Sequence, residues 1–154
     1  MYVSLKAKLF AAALLNPRLV YLLGGGSPLI MRWFDTTLPQ YGGTGFPAVV
    51  VRQISDPPMY ATSGRLPTGF ARMQFDCYGA GAAGGGNQPP DSQSANELVE
   101  ALTEFLDGFN GDGITGRPQS PNMVMGDKDG GIAQTQPLTY VRIVDAKIFW
   151  NPNV

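Results

Sequence analysis

Residues 70–78 read FARMQFDCY, and the character of their side chains alternates along the chain. Between residues 71 and 77 the apolar side chains occupy the odd positions and the polar ones the even positions: Ala71, Met73, Phe75 and Cys77 against Arg72, Gln74 and Asp76. A period of two is typical of a β-strand that covers a core with one face. We therefore predict a half-buried strand here, with Cys77 as a small core residue.

The strand runs into a Gly/Pro-rich stretch, residues 79–93, that begins GAGAAGGG. This run lacks the Lys-Ser/Thr pair of a phosphate-binding P-loop. Two prolines also separate its glycines from the next predicted helix, so the helix amides could not share a phosphate with them. We interpret residues 79–93 as a flexible connector.

A helix is predicted after the connector. Ser94 and Glu97 have the spacing of a capping box, in which each side chain bonds the backbone N–H of the other residue. The apolar residues that follow recur at helical spacing: Leu98, Leu102, Phe105, Leu106 and Phe109. This apolar stripe indicates a helix that folds back over the strand.

Further elements lie on both sides of this strand–connector–helix unit. Residues 3–15 predict a helix with Leu5, Leu9, Ala12 and Leu15 near one face, and RLVYLL after Asn16-Pro17 predicts a second, short helix. The remaining predicted strands are residues 29–34, 46–54 and 138–150, and the predicted loops are 35–46, 59–69 and 110–137. The last loop has one short apolar segment, residues 123–125, which leaves a further strand open there. The order predicts one α+β domain over residues 1–154. It has a small, mostly antiparallel sheet of about four strands, helices packed on one face, and long irregular loops.

The composition argues against several classes of function. The net charge is −1, so bulk charge gives no attraction to nucleic acid or anionic lipid. The chain has one cysteine and no histidine, which disfavours a structural zinc site and a histidine-based catalytic triad. A membrane-spanning helix needs about 18 consecutive apolar residues, and no apolar run in this sequence is nearly that long. Charged residues make up only 15 %, and a surface so poor in charge is expected to be covered in an assembly.

The remaining polar motifs do not predict a catalytic or metal-binding site. Asp127-Lys128-Asp129-Gly130 resembles the start of a calcium loop but lacks the later glutamate, so we interpret it as a turn in water. Arg72 and Asp76 share one strand face, and Asp145 and Lys147 share another. These charges could form ion pairs between neighbouring strands, or they could contact another subunit, and the sequence leaves both alternatives open. No cofactor, metal or catalytic residue is predicted, and we expect the protein not to be an enzyme.

Five segments, in this order, resemble the tail-completion, or tail-terminator, family of long-tailed bacteriophages. They are LLNPRLVYLLGGG, FPAVVVRQIS, FARMQFDCYG, ANELVEALTEFLDGF and YVRIVDAKIFW, and they cover about two-thirds of the chain. The third, a strand that ends in Asp76-Cys77-Tyr78, is the most distinctive. The chain departs from the family pattern in its longer Gly/Ala connector and in the expanded residues 110–137.

The resemblance implies a structural virion protein that is made in the host cytoplasm. Copies of it would form a homo-oligomeric ring, a hexamer in most of the family, at the head-proximal end of the tail tube. The ring would stop polymerisation of the tail tube protein and meet the head–tail connector, or neck, proteins. DNA would pass through its channel without specific binding, and no membrane is involved.

Charged residues of the predicted strands and of the Asp127 turn are the candidate contacts with neighbouring subunits or the tube. They are Arg52, Arg72, Asp76, Arg142, Asp145, Lys147, Asp127, Lys128 and Asp129. Two other interpretations stay open: a different neck or baseplate subunit, and a small nucleotide-binding enzyme with a pocket at the glycine run.

Overall fold

A computed structural model of the chain describes residues 4–25, 30–36, 47–55, 58–79, 92–109, 123–135 and 138–150. It contains three helices: α1 (Leu5–Leu14), α2 (Pro17–Leu23) and α3 (Ser92–Gly108). The strands are β1 (Gly24–Gly25), β2 (Ile30–Met31), β3 (Trp33–Asp35), β4 (Ala48–Ser55), β5 (Pro58–Ala61), β6 (Gly64–Gly79), β7 (Met123–Thr135) and β8 (Leu138–Trp150). The α+β class is confirmed.

The first two helices begin where their capping residues predict. The Ser4 hydroxyl accepts a hydrogen bond from the Ala7 amide at 3.2 Å and so caps α1. The Asn16 side chain accepts from the amides of Arg18 and Leu19, both at 3.1 Å, and Pro17 occupies the first position of α2. By contrast, α3 begins at Ser92, two residues before the predicted cap at Ser94.

The main sheet has six strands, two more than expected. Its order is β3-β4-β6-β8-β7, with β5 paired to β6 beside this path, and β1 and β2 form a separate two-stranded sheet. The β3–β4 pair is parallel and the other pairs of the main sheet are antiparallel. The three strands β4, β6 and β8 that lie side by side are three of the strands predicted from their side-chain pattern.

The hydrophobic core lies between one face of this sheet and the helices. Register places the buried sheet residues on the same face: Val49, Val51, Ala71, Met73, Phe75, Cys77, Val144, Ala146 and Ile148. They form one cluster with buried residues of all three helices, among them Leu9, Leu19 and Leu102. Trp33 joins the layers, because its ring makes edge contacts with Phe75 and Phe105 at centroid distances of 6.2 and 6.4 Å. We call the opposite face of the sheet the outer sheet face.

Two segments predicted as loops contain strands instead. In residues 59–69, β5 pairs with the start of β6, and Gly64, the first residue of β6 after the turn, has a φ of +120° that other residues rarely adopt. In residues 110–137, strand β7 covers 123–135 and includes the predicted turn at Asp127. The β7–β8 register shifts three times, between Val124 and Gly126, Asp129 and Gly131, and Ile132 and Gln134. Each irregularity interrupts the period-two pattern, so the sequence of β7 does not read as a strand.

Gly130 in β7 lies too close to β8 to accept a side chain. A Cβ atom there would be 2.7 Å from Cγ1 and 3.1 Å from the carbonyl oxygen of Val141. We therefore expect Gly130→Ala to lower the free energy of unfolding by about 1–2 kcal/mol, measured by urea denaturation. In a Val141→Ala background the clashing methyl is absent, so the same change should cost clearly less. Equal costs in both backgrounds would contradict the close approach.

Candidate assembly surfaces

The outer sheet face carries an ion pair between neighbouring strands in which the carboxylate is buried and the guanidinium is partly exposed. The register sets Val50 of β4 opposite Asp76 of β6, so Arg52 reaches Asp76 diagonally. Its Nη1 lies 2.6 Å from Asp76 Oδ2, and Gln74 Nε2 donates to Asp76 Oδ1 at 2.8 Å. The Asp76 side chain is only 5 % exposed, whereas that of Arg52 is 39 % exposed. Asp76 is therefore used inside the subunit and offers little surface to a partner.

A second charged group follows along the same face. Arg72 lies opposite Lys147 in the β6–β8 register, and Gln74 lies opposite Asp145. The guanidinium of Arg72 is 3.9 Å from the Asp145 carboxylate, with side-chain exposures of 48 % and 23 %. Lys147 is exposed. Arg72 and Lys147 are thus the most exposed cations of this face among the predicted contact residues, and Arg52 is partly exposed.

Arg142 belongs to the opposite side of the sheet. It pairs in register with Cys77, whose side chain lies in the core between the sheet and the helices. Its Nη1 donates to Asn96 Oδ1 of α3 at 2.7 Å. Arg142 therefore ties the start of α3 to β8, and the structure does not bring it together with the outer-face charges.

The acidic–basic triplet of β7 lies on the far strand of the sheet. Asp127, Lys128 and Asp129 pair in register with Val144, Ile143 and Arg142 of β8. The nine predicted contact residues are therefore divided among the outer sheet face, the helix-facing side and β7. They do not form one cluster.

The structure leaves four large apolar side chains of the first two helices exposed, which the sequence analysis missed. We call this set the corner patch: Phe10 and Leu14 of α1, Leu15 at the C-cap of α1, and Tyr21 of α2. The side chains of Leu15 and Tyr21 are each 85 % exposed, and those of Leu14 and Phe10 are 40 % and 36 % exposed. Leu15 was expected near the core-facing side of α1, but α1 ends at Leu14 and Ala13 occupies the buried position.

A signal for the corner patch is present in the sequence of α1. Its exposed positions include Ala7, Phe10, Ala11 and Leu14, and its charges are confined to Lys6 and Lys8. Lys6 pairs with Asp35, and Lys8 lies over the ring of Trp150 at 5.7 Å. A helix that is apolar around its whole circumference is normally covered on all sides.

A pocket of about 340 Å³ adjoins the corner patch. Its walls come from the α1–α2 junction and the C-terminal half of α3: Ala12, Leu15, Asn16, Pro17, Glu104, Phe105 and Phe109. Arg18 beside it forms a 2.7 Å ion pair with Glu104 and a 3.5 Å one with Glu100, which holds α2 against α3. The described lining combines apolar side chains with the polar groups of Asn16 and Glu104.

Within the described ranges, no group of three or more metal-ligating side chains comes together. None of the helices in those ranges combines the length and hydropathy that a bilayer crossing needs. The glycine run at residues 80–91, where an enzyme's nucleotide pocket was considered, lies outside the described residues.

Cys77 is completely buried, and burial raises the pKa of its thiol above the usual value. Because the thiolate is the reactive form, we expect the folded protein to resist thiol reagents even at mildly alkaline pH. In denaturant Cys77 should react at the rate of an exposed cysteine, at least 100-fold faster. Since it is the only cysteine, a colorimetric thiol assay with and without urea measures this directly. Rapid labelling of the folded chain would show that β6 is not in the core.

Two comparisons with known proteins gave no match: none of the known family models fits the chain, and no curated protein sequence matches it.

Proposed function

We propose that this chain is a structural subunit of a bacteriophage virion, of the tail-completion type. Copies of it would form a ring at the head-proximal end of the tail tube. The ring would end tube polymerisation and present its other rim to the connector proteins of the head. DNA would leave through the channel of the ring.

The observation that carries this proposal is where the five resembling segments lie in the fold. They correspond to the α1–α2 region, β4, β6, α3 and β8. Strands β4, β6 and β8 are neighbours in the sheet, and all three helices pack against them in one core. The five segments therefore supply much of the described core of the subunit, and this supports the proposal. The departures from the family pattern belong to other parts of the sequence, the Gly/Ala connector and residues 110–137.

The charge distribution supports a role in assembly. On the outer sheet face, Arg52 pairs with Asp76 and Arg72 pairs with Asp145, each across neighbouring strands. Arg72 and Lys147 remain accessible there, and we propose this face as a contact with the neighbouring subunit or the tube. A net charge of −1 offers little attraction to DNA, as suits a channel through which DNA must slide.

A tube-growth assay tests the proposal. The purified chain is mixed with the polymerising tail tube protein of the same virus, and tube lengths are measured by negative-stain electron microscopy. We expect tubes to shorten as the chain is added, because capped ends no longer grow. Unchanged tube lengths at every ratio would contradict the proposal.

The same assay tests whether the outer sheet face contacts the neighbouring subunit or the tube. Arg72→Gln combined with Lys147→Gln removes the two most exposed cations from the outer sheet face, and we expect weaker capping. Asp107→Asn, which removes an exposed charge from α3, is the matched control and should cap like the unchanged chain. Equal capping by all three proteins would mean that the outer sheet face is not a contact surface.

A further inference from the structure

We infer that a continuous series of polar contacts around the edge of the sheet couples helix α1 to the outer sheet face, so that breaking the contacts at one end weakens those at the other. The series starts at α1, passes the end of β3, which is an end strand of the sheet path, and reaches β6. We call it the edge network, and its members are Lys6, Asp35, Thr36, Arg52, Asp76 and Gln74. It lies within one subunit, so the inference does not depend on the proposed function.

One end of the edge network lies on the helix side of the sheet. Asp35 of β3 pairs in register with Val51, a buried residue of the core between the sheet and the helices. Asp35 Oδ1 pairs with Lys6 Nζ of α1, and it also accepts a hydrogen bond from Thr36 Oγ1 at 2.8 Å. The contact with Lys6, followed by that with Thr36, lowers the pKa of Asp35 below its usual value. Asp35 therefore stays ionised and joins α1 to the end of β3.

Thr36 connects the two sides of the sheet. Its amide donates to the carbonyl oxygen of Val51 at 3.0 Å, and its own carbonyl oxygen accepts from Arg52 Nε at 3.1 Å. Its φ is +71°, a conformation that β-branched residues rarely adopt. Such a conformation persists only where the surrounding contacts hold it. The contacts of Thr36 with Asp35 and with Arg52 therefore depend on each other, because both hold the same strained residue.

The other end of the edge network lies on the outer sheet face. Arg52 donates from Nε to Thr36, and its Nη1 lies 2.6 Å from Asp76 Oδ2. A guanidinium is planar and rigid, so each of these two contacts fixes the direction of the other. Gln74 Nε2 donates to Asp76 Oδ1 at 2.8 Å, and the Asp76 side chain is only 5 % exposed. Little water is present to replace a lost partner, so a shift of Arg52 must change the contacts of Asp76.

These dependences make the edge network a conformational device that connects opposite faces of the subunit. When the pair of Lys6 with Asp35 is lost, the support of Thr36 changes, and the acceptor of Arg52 Nε changes with it. Coupling between two sites is reciprocal. The Arg52 side chain is 39 % exposed, so a protein that contacts it on the outer sheet face would alter the hold of β3 on α1.

Nuclear magnetic resonance of the full chain, labelled with ¹⁵N only at arginine, tests the inference. The Nε–H signal that disappears in Arg52→Met is that of Arg52. We expect Lys6→Met to shift this signal and to speed its exchange with water by about twofold or more, although Lys6 lies on the other side of the sheet. Lys8→Met is the matched control, because it removes the same charge from the same helix, where Lys8 lies over the ring of Trp150. It should leave the Arg52 signal unchanged.

A double-mutant cycle measures the same coupling through stability. Lys6→Met and Arg52→Met each lower the folding equilibrium constant, and independent effects would multiply in the double variant. We expect the double variant to lose less than that product, by about twofold or more, because the first change already weakens the contacts that the second removes. Lys8→Met combined with Arg52→Met should give the simple product.

Three results would overturn the inference. They are an Arg52 signal that Lys6→Met leaves unchanged, effects of Lys6→Met and Arg52→Met that simply multiply, and a Lys8→Met variant that changes the Arg52 signal as much as Lys6→Met does. The last would show a general effect of helix charge. Neither measurement involves a tail tube, so failure here would leave the proposed function to its own test.

Discussion

Replacing Phe75 by alanine is expected to lower the free energy of unfolding by about 3–5 kcal/mol. Phe75 lies in β6, is fully buried in the core cluster, and contacts the ring of Trp33 on the same face of the sheet. Strands β4 and β8 flank it on both sides, through Val51 and Val144 in register. Neighbouring backbone therefore cannot collapse into the space, and most of the cavity remains.

Phe10→Ala is the matched control for this prediction. Phe10 also contacts the ring of Trp33, at 6.3 Å, but its side chain is 36 % exposed. Its loss should cost less than half as much, because water already reaches part of the side chain. Urea denaturation of the two variants provides the comparison. Similar losses for both would mean that the core does not lie between β6 and the helices.

Replacing Arg52 by methionine is expected to cost about 2–4 kcal/mol, the second-largest effect. The change leaves the Asp76 carboxylate buried with Gln74 as its remaining described partner. An unpaired buried charge is costly, although the partial exposure of Arg52 reduces the effect below that of a fully buried pair. Arg52 Nε also donates to the carbonyl oxygen of Thr36 at 3.1 Å, where φ is +71°. The variant would therefore also loosen the end of β3.

Arg72→Met is the control for Arg52→Met, because it removes the same group from the same sheet face. The Arg72–Asp145 distance is 3.9 Å and Arg72 is half-exposed, so the expected cost is below about 1 kcal/mol. Thermal and urea denaturation of both variants would reveal the difference. If Arg72→Met proved as costly as Arg52→Met, burial of Asp76 would not be the cause.

Side-chain pattern was sufficient to predict the parts of the fold that face the core. Apolar and polar side chains alternate strictly around Phe75, because those on one side of the strand pack against the helices and those on the other side lie on the outer sheet face. Asn16 and Pro17 likewise predict the start of α2 from local chemistry alone. In these places a single physical requirement fixes each residue type.

Strand β7 could not be predicted in this way. Its place in the sheet depends on hydrogen bonds to β8, which any residue except proline can supply. Its three register irregularities interrupt the alternation, and Gly130 is required by close approach to Val141. A Gly/Asp-rich sequence therefore reads as a loop until its neighbour is known.

The candidate contact surfaces also could not be predicted fully from the sequence. Charged residues were predicted as contacts from their position on strands, but the pairing of Arg52 with Asp76 depends on a diagonal reach between two strands. The corner patch was missed because an apolar helix is first read as core. Only the packing of α1 on the sheet reveals which of its apolar residues remain in water.

We propose that copies of this chain form a ring at the end of a tail tube. End-on electron-microscopic averages of tube ends capped by the purified chain would reveal such a ring. We expect a closed ring of the 16.5 kDa subunit with the same rotational symmetry as the tube beneath it. A ring with the symmetry of the head vertex, or tube ends with no added density, would contradict it.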